Sequence, residues 1–217
     1  MINKYKNICD FYSITNKLKE TIRTGWKVWE VKSDRLESVA EHIYGTQMLA
    51  FVVNSEFGLG LDIQRVAFML AFHELGETIV GDIPVVDILD KKITKEEKHN
   101  LEFKAVQKIL SPLENSVLIN DIFNEFENTE SKEALFAHRI DKLEASFQCK
   151  YYEEKGCNDF SYERKGIFEK LRQERLAKGM TTMAEGWIDY DKEHSNFDEL
   201  FTSICDYISQ KDVFNLK

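Results

Sequence analysis

Residues 66–84 read VAFMLAFHELGETIVGDIP, and this stretch decides how the rest of the chain is understood. Val66, Met69, Leu70, His73 and Glu77 recur at spacings of three and four, which places them on one helix face. The face is apolar for two turns and then ends in an imidazole and a carboxylate. Ionisable groups at the end of a buried stripe are costly unless they are paired, hydrogen-bonded or bound to metal. Glu74, Glu77, Asp82 and Asp87 crowd the same region. The stretch therefore predicts one helix, broken at Gly81-Asp82-Ile83-Pro84, that forms a wall of a cation-binding, water-activating site.

The surrounding sequence is helical in character. There are two prolines in 217 residues, and long periodic segments rich in Glu, Lys and Leu predict an all-α protein. A chain of this length buries roughly 70% of its unfolded surface and needs no staple to fold. Ser38-Val39-Ala40-Glu41 and Thr94-Lys95-Glu96-Glu97 are capping boxes. They open helices running to about Phe57 and Leu110. Asp62 caps the helix of the opening stretch. Residues 1–25 read as one amphipathic helix, with Ile8, Phe11, Tyr12, Ile14 and Leu18 on its apolar side. Further helices are expected at Val117–Phe126, from Ser131 to about Tyr152, over 160–178 and at Phe197–Ser209. The segment Gly179–His194 reads as a connector. The expectation is a single domain over residues 1–217, a bundle of about seven or eight helices.

The formal net charge of −9 excludes a face that grips long nucleic acid through its backbone. It permits a single nucleotide held by a metal and one or two cations. The four cysteines form no CxxC pair, so free thiols in a reducing compartment are expected. The first residues, MINKYKNICDFYSI, carry no signal-like pattern, and the longest apolar run is far too short to span a bilayer. Together these predict a cytoplasmic protein.

Three helices each present an inward-facing ligand type. His42 shares a face with Val39, Thr46, Leu49, Ala50 and Val53; taken alone, a core histidine satisfied by a backbone carbonyl is the more ordinary account of it. His73 and Glu77 form an i, i+4 pair, with Glu74 about 100° round the helix. H-E-x-x-E is not the zinc-protease H-E-x-x-H, because the second histidine ligand is missing. Asp141 follows Ala134 and Ala137 on a small-residue seam; its neighbours Arg139 and Lys142 are expected to point to other faces. Two imidazoles and two carboxylates suit a borderline divalent ion such as Co, Mn, Fe, Ni or Zn. Glu77 would stand beside that ion as a general base. His99 and His194 read as solvated. Lys95 and Lys98 could approach a phosphate, and a solvated helix start accounts for them as well. Trp26, Trp29 and Tyr44 fit base stacking, yet aromatics at helix seams are more often core.

These residues resemble the HD-domain metal phosphohydrolases, known by a lone His, a later His-Asp doublet and a distant Asp on all-α scaffolds. The match is strongest to the 5′-deoxynucleotidase branch. It runs through Arg23-Thr24-Gly25-Trp26, Glu37 to His42, His73-Glu74-x-x-Glu77 with Gly81-Asp82-Ile83, Lys95 to His99 and Asp141, and covers about residues 15–150; residues 151–217 add C-terminal helices. The resemblance implies that His42, His73, Glu74 and Asp141 are metal ligands and that Glu77 activates water. It implies that Asp82 contacts the nucleoside sugar, that Trp26 belongs to the nucleotide pocket and that Arg23 contacts the phosphate. The implied reaction is hydrolysis of a deoxyribonucleoside 5′-monophosphate by a homodimer with one divalent metal. The doublet here is His-Glu, one methylene longer than His-Asp. His138 stands where relatives carry a lysine, and when protonated could reach the phosphate. Alternatives are another HD chemistry, such as alarmone hydrolysis, and a non-catalytic nucleotide- or partner-binding module. Cyclic-dinucleotide hydrolysis lacks its GYP signature, and the oxygenases of the superfamily need more than the five histidines present.

Overall fold

A computed structural model describes residues 2–214, and the descriptions below concern those residues. They are all-α: twelve α-helices, one 3-10 turn and no strand beyond an isolated Ile22–Ser38 bridge. None of these helices is long and apolar enough to cross a membrane. The chain separates into two compact units. The first comprises residues 1–24 and 37–137, the second 25–36 and 138–217.

The first unit begins with α1 (Ile2–Thr15) and a 3-10 turn at Asn16–Lys19. The expected single helix over 1–25 is thus two pieces. Its apolar side is also narrower than the pattern suggests, since Ile8 and Tyr12 are exposed while Phe11 and Ile14 pack on the core. α2 (Thr24–Val28) starts at the edge of this unit. α3 (Val39–Glu56) opens on the Ser38 capping box, and α4 (Ile63–Phe72) opens on the Asp62 side chain, which accepts from the Arg65 N–H. α5 (Glu77–Val80) and α6 (Val85–Leu89) are short. α7 (Lys95–Leu110) opens on the Thr94 capping box, and α8 (Val117–Glu127) follows it. The core beneath these helices gathers Leu75, Val106, Ile109, Leu110 and Phe123.

α9 (Lys132–Glu154) is unbroken and carries the chain from the first unit into the second. The second unit continues with α10 (Ile167–Ala177), α11 (Met183–His194) and α12 (Glu199–Gln210). α10 starts seven residues later than the periodicity predicts. Gly166, at φ +62°, takes a conformation that begins no helix, and the preceding loop is ordered by Arg164. α11 occupies the segment expected to be a connector, with a complete capping box from Thr182 and Glu185. Short helices and α11 account for a helix count above the expected seven or eight. Trp26 is the hub of this unit's core: 1% exposed, stacked on Trp187 at 4.9 Å and edge-on to Tyr152 at 5.3 Å.

Candidate metal centre

The helix of the opening stretch does not run through to Gly81. α4 stops at Phe72, and residues 73–76 form a tightened turn before α5. Its hydrogen bonds span three residues: Leu75 N–H donates to Phe72 O at 2.9 Å and Glu77 N–H to Glu74 O at 3.1 Å. In such a turn side chains three apart eclipse one another. The predicted pairing of His73 with Glu77 is therefore replaced by an alignment of Glu74 with Glu77. Tertiary packing enforces the turn: a Cβ on Gly76 would lie 2.9 Å from the Glu102 carbonyl oxygen of α7, so only glycine fits there.

The tightened turn swings Glu74 onto the two imidazoles. Glu74 Oε1 lies 3.6 Å from His73 Nε2 and 3.9 Å from His42 Nε2. The imidazole rings are 5.5 Å apart at 54°. Both residues are buried: His42 is fully inaccessible, and Phe126 of α8 packs edge-on against His73 at 5.6 Å. His73 Nδ1 lies 2.8 Å from the Leu70 carbonyl. A carbonyl only accepts, so Nδ1 carries a proton, and Nε2 is the ring atom that faces Glu74.

Two donors bonded to one ion at about 2.1 Å stand between about 3 and 4 Å apart. Glu74 meets that spacing to each imidazole, and the candidate donor atoms of His42, His73 and Glu74 all lie within 4.8 Å of one another. Two buried imidazoles and a carboxylate fit a divalent transition ion. The longer Glu74 side chain reaches the imidazoles, so the His-Glu doublet keeps a carboxylate at the place where the family doublet has Asp. Arg23 Nη1 also bonds Glu74 Oε1, at 3.1 Å.

Glu77 is 3% exposed, and its Oε2 is a buried oxygen with no hydrogen-bond partner among the described residues. Burial, and then the charges of Glu74 and Asp82, push its carboxyl well above the usual carboxylate range; Arg23 and Lys98 pull it back. Asp82 follows Gly81, which at φ +78° lets the chain reverse after α5. The Asp82 carboxylate accepts from the Thr24 N–H, and Thr24 Oγ1 donates to the Asp82 carbonyl at 2.9 Å. Arg23 and Asp82 are thereby anchored to the same short segment.

Asp141 lies in the second unit. On α9 it stands one turn beyond Ala137, on the face of the fully buried Ala134 and Ala137, and it is 6% exposed. Lys142 does not point away as expected: its Nζ curls back to 2.8 Å from Asp141 Oδ2. Trp26, expected in a nucleotide pocket, is a core residue of the second unit. His99 is not simply solvated, since its Nδ1 meets Glu127 Oε2 at 2.8 Å. His194 ends α11 with Nδ1 2.8 Å from the Tyr190 carbonyl. Gly76, Glu102 and Glu127 carried no sequence signal. Burial raises both Glu102 and Glu127, and each feels the charge of Glu74.

The family model for the HD domain matches residues 15–184. A 5′-deoxynucleotidase of Dictyostelium discoideum is 36% identical over 154 residues, covering 68% of this chain and 78% of that protein. A 5′-deoxynucleotidase of Schizosaccharomyces pombe is 32% identical over 182 residues, 81% of this chain and 87% of its own. The human 5′-deoxynucleotidase relative is 32% identical, with coverage of 69% and 70%. Among solved structures, a conserved hypothetical protein from Pyrococcus furiosus superimposes with a TM-score of 0.65 at 21% identity, covering 94% of this chain and 99% of that one. A predicted metal-dependent phosphohydrolase from Magnetospirillum magnetotacticum gives 0.56 at 19% identity, with 94% of each chain covered. These two likenesses speak for the fold.

Proposed function

The chain belongs to the HD-domain family, and from that premise we propose that it is a metal-dependent phosphomonoesterase that hydrolyses deoxyribonucleoside 5′-monophosphates to deoxynucleoside and phosphate. The observation that carries this is the convergence of the His42 and His73 imidazoles on Glu74, with His73 Nδ1 held by the Leu70 carbonyl. Relatives named 5′-deoxynucleotidases supply the substrate class.

In this reading His42, His73 and Glu74 hold the ion, and Asp141 completes the set from α9. The HD match spans both compact units, which favours one functional domain over residues 1–217. The ion, when bound, makes water a stronger nucleophile and offsets charge on the phosphoryl oxygens. Cobalt, manganese, iron, nickel and zinc all suit such nitrogen and oxygen donors.

Glu77 is the general base. It is kept apart from the ligands, and its raised carboxyl accepts a proton from the attacking water. Phosphorus takes the water oxygen, and the 5′ oxygen of the sugar leaves. Arg23, held against Glu74, contacts the phosphate. Asp82, pinned by Thr24, addresses the sugar and discriminates against ribose. Trp26 anchors the segment that follows Arg23 and Thr24 and acts on the pocket through position. A helical module that merely packs a partner would have no use for the buried Glu77 oxygen. The homodimer and the cytoplasmic location rest on family resemblance and cysteine usage alone.

Phosphate release from deoxy- and ribonucleoside monophosphates, with added Co, Mn, Ni, Zn or Mg, tests the reading. Turnover that favours deoxy substrates and needs one of these ions is expected. No turnover under any of these conditions would refute it, and equal turnover of ribo substrates would remove the role of Asp82.

A further inference from the structure

We propose that Lys98 is a second phosphate-binding cation of this site, carried by α7 and latched by Glu102. This rests on the phosphohydrolase reading above, because it names a contact to that substrate.

Lys98, Glu102, Ala105, Val106 and Ile109 fall on one stripe of α7. The lower part of that stripe is core: Ala105, Val106 and Ile109 are at most 4% exposed, and Val106 and Ile109 pack with Leu75. One turn higher the Glu102 backbone meets Gly76 so closely that a Cβ on Gly76 would stand 2.9 Å from the Glu102 carbonyl oxygen and 3.0 Å from its Cα and Cβ. The stripe thus packs against the turn at Leu75 and Gly76. Lys98 is its next position, one turn beyond Glu102. Its Nζ lies 3.3 Å from Glu102 Oε1, and its side chain is 24% exposed, neither core nor free in solvent. Lys95 begins the same stripe one turn earlier, but there it is exposed, beyond the part that faces the turn. The field of Lys98 reaches Glu77, as does that of Arg23.

Charge balance calls for this cation. Glu74, Glu77 and Asp82 converge on one site, and Arg23 is engaged with Glu74. A phosphate monoester brings two further negative charges. A divalent ion and Arg23 leave that assembly negative, and an ammonium that turns from Glu102 to the phosphate lowers the repulsion on substrate entry.

The test uses the full-length, metal-loaded protein, with inorganic phosphate as the binding probe and a deoxynucleoside monophosphate as substrate. Lys98→Met should weaken phosphate binding and raise KM about ten- to a hundredfold, with a smaller change in kcat and an unchanged metal content. Lys98→Arg should keep most of the binding, and Lys95→Met should change nothing. Should Lys98→Met fail to fold, Lys98→Gln carries the same expectation. Wild-type phosphate affinity in Lys98→Met or Lys98→Gln overturns the proposal, and so does equal loss in Lys98→Arg, which marks a structural role. If the wild type hydrolyses no nucleotide but binds phosphate through Lys98, the substrate assignment falls and the Lys98 contact stands.

Discussion

Both units bury charge, but they treat it differently. In the second unit buried charge is mostly engaged within the unit, although Arg164 Nε is buried without a partner. Arg164 donates to the carbonyls of Tyr162, Trp29 and Asp159 and lies over the Trp29 ring at 5.4 Å. Arg172 forms a two-pronged pair with Glu169 at 2.8 and 2.9 Å, holding that carboxyl down at about 2. Arg175 reaches Asp189 and Glu193, and the Glu193 carboxyl also falls to about 2. In the first unit Arg65 and Glu125 are paired in the same way, but a second group of side chains converges instead. His42, His73 and Glu74 point donors at a common centre, and Glu77 keeps an oxygen that no described group satisfies. A buried polar atom without a partner costs roughly 1–3 kcal/mol. Arg164 Nε bears that cost beside three bonds made by the rest of its guanidinium, whereas Glu77 Oε2 bears it beside converging metal-type donors. Paired charge is structure there, and converging donors are a site here.

The strongest way to break this contrast is His73→Ala. Removing one imidazole should abolish tight metal binding and lower phosphate release at least about a thousandfold, a loss expected when the activating ion departs. Near-normal activity would mean that the converging donors are ordinary core. Glu77→Gln should come next, with turnover down about a hundred- to ten-thousandfold, the range for a general base. Its KM should move little, because the substitution leaves the ligands in place.

The second unit should answer in stability instead. Arg164→Ala removes three hydrogen bonds to carbonyls and should cost about 2–4 kcal/mol in denaturant unfolding. Turnover per folded molecule should stay within about threefold. A large catalytic loss without destabilisation would show that this unit's charge is not merely structural.

The smallest expected effect is a pH slope. Asp191 is buried, and desolvation drives its carboxyl up to about 7, with Ser146 donating to it at 3.0 Å. The folded protein therefore holds a proton there that the unfolded chain releases near the ordinary value of 3.8. Stability from this group is full below that ordinary value and is lost as pH rises toward 7, at up to about 1.4 kcal/mol per pH unit. Asp191→Asn should flatten that part of the unfolding profile between pH 4 and 7. An unchanged slope would place the proton elsewhere.

Local signals proved legible. The capping boxes at Ser38 and Thr94 and the Asp62 cap sit where their side-chain chemistry places them, and the all-α class follows from periodicity. Thr182 and Glu185 carry the same signature, yet α11 was masked because its buried side includes Gly186 and Asp191, which blur the apolar period. The break after Phe72 was not legible. It depends on Gly76 meeting α7, a contact made about 25 residues away in sequence. That contact sets where Glu74 points, so the alignment of the doublet with Glu77 is a tertiary property. Likewise the Asp141–Lys142 pair depends on a rotamer, and the burial of Trp26 on packing against Tyr152 and Trp187.

The central claim is that His42, His73 and Glu74 face one another to hold an ion while Glu77 stands apart as the base. The direct measurement is bound transition metal per chain, by elemental analysis, in the wild type, His73→Ala and Glu77→Gln after loading with manganese, cobalt or zinc. The account predicts metal in the wild type, its loss in His73→Ala and its retention in Glu77→Gln. A wild type that binds none of these ions, or a His73→Ala variant that binds them as tightly, would contradict it.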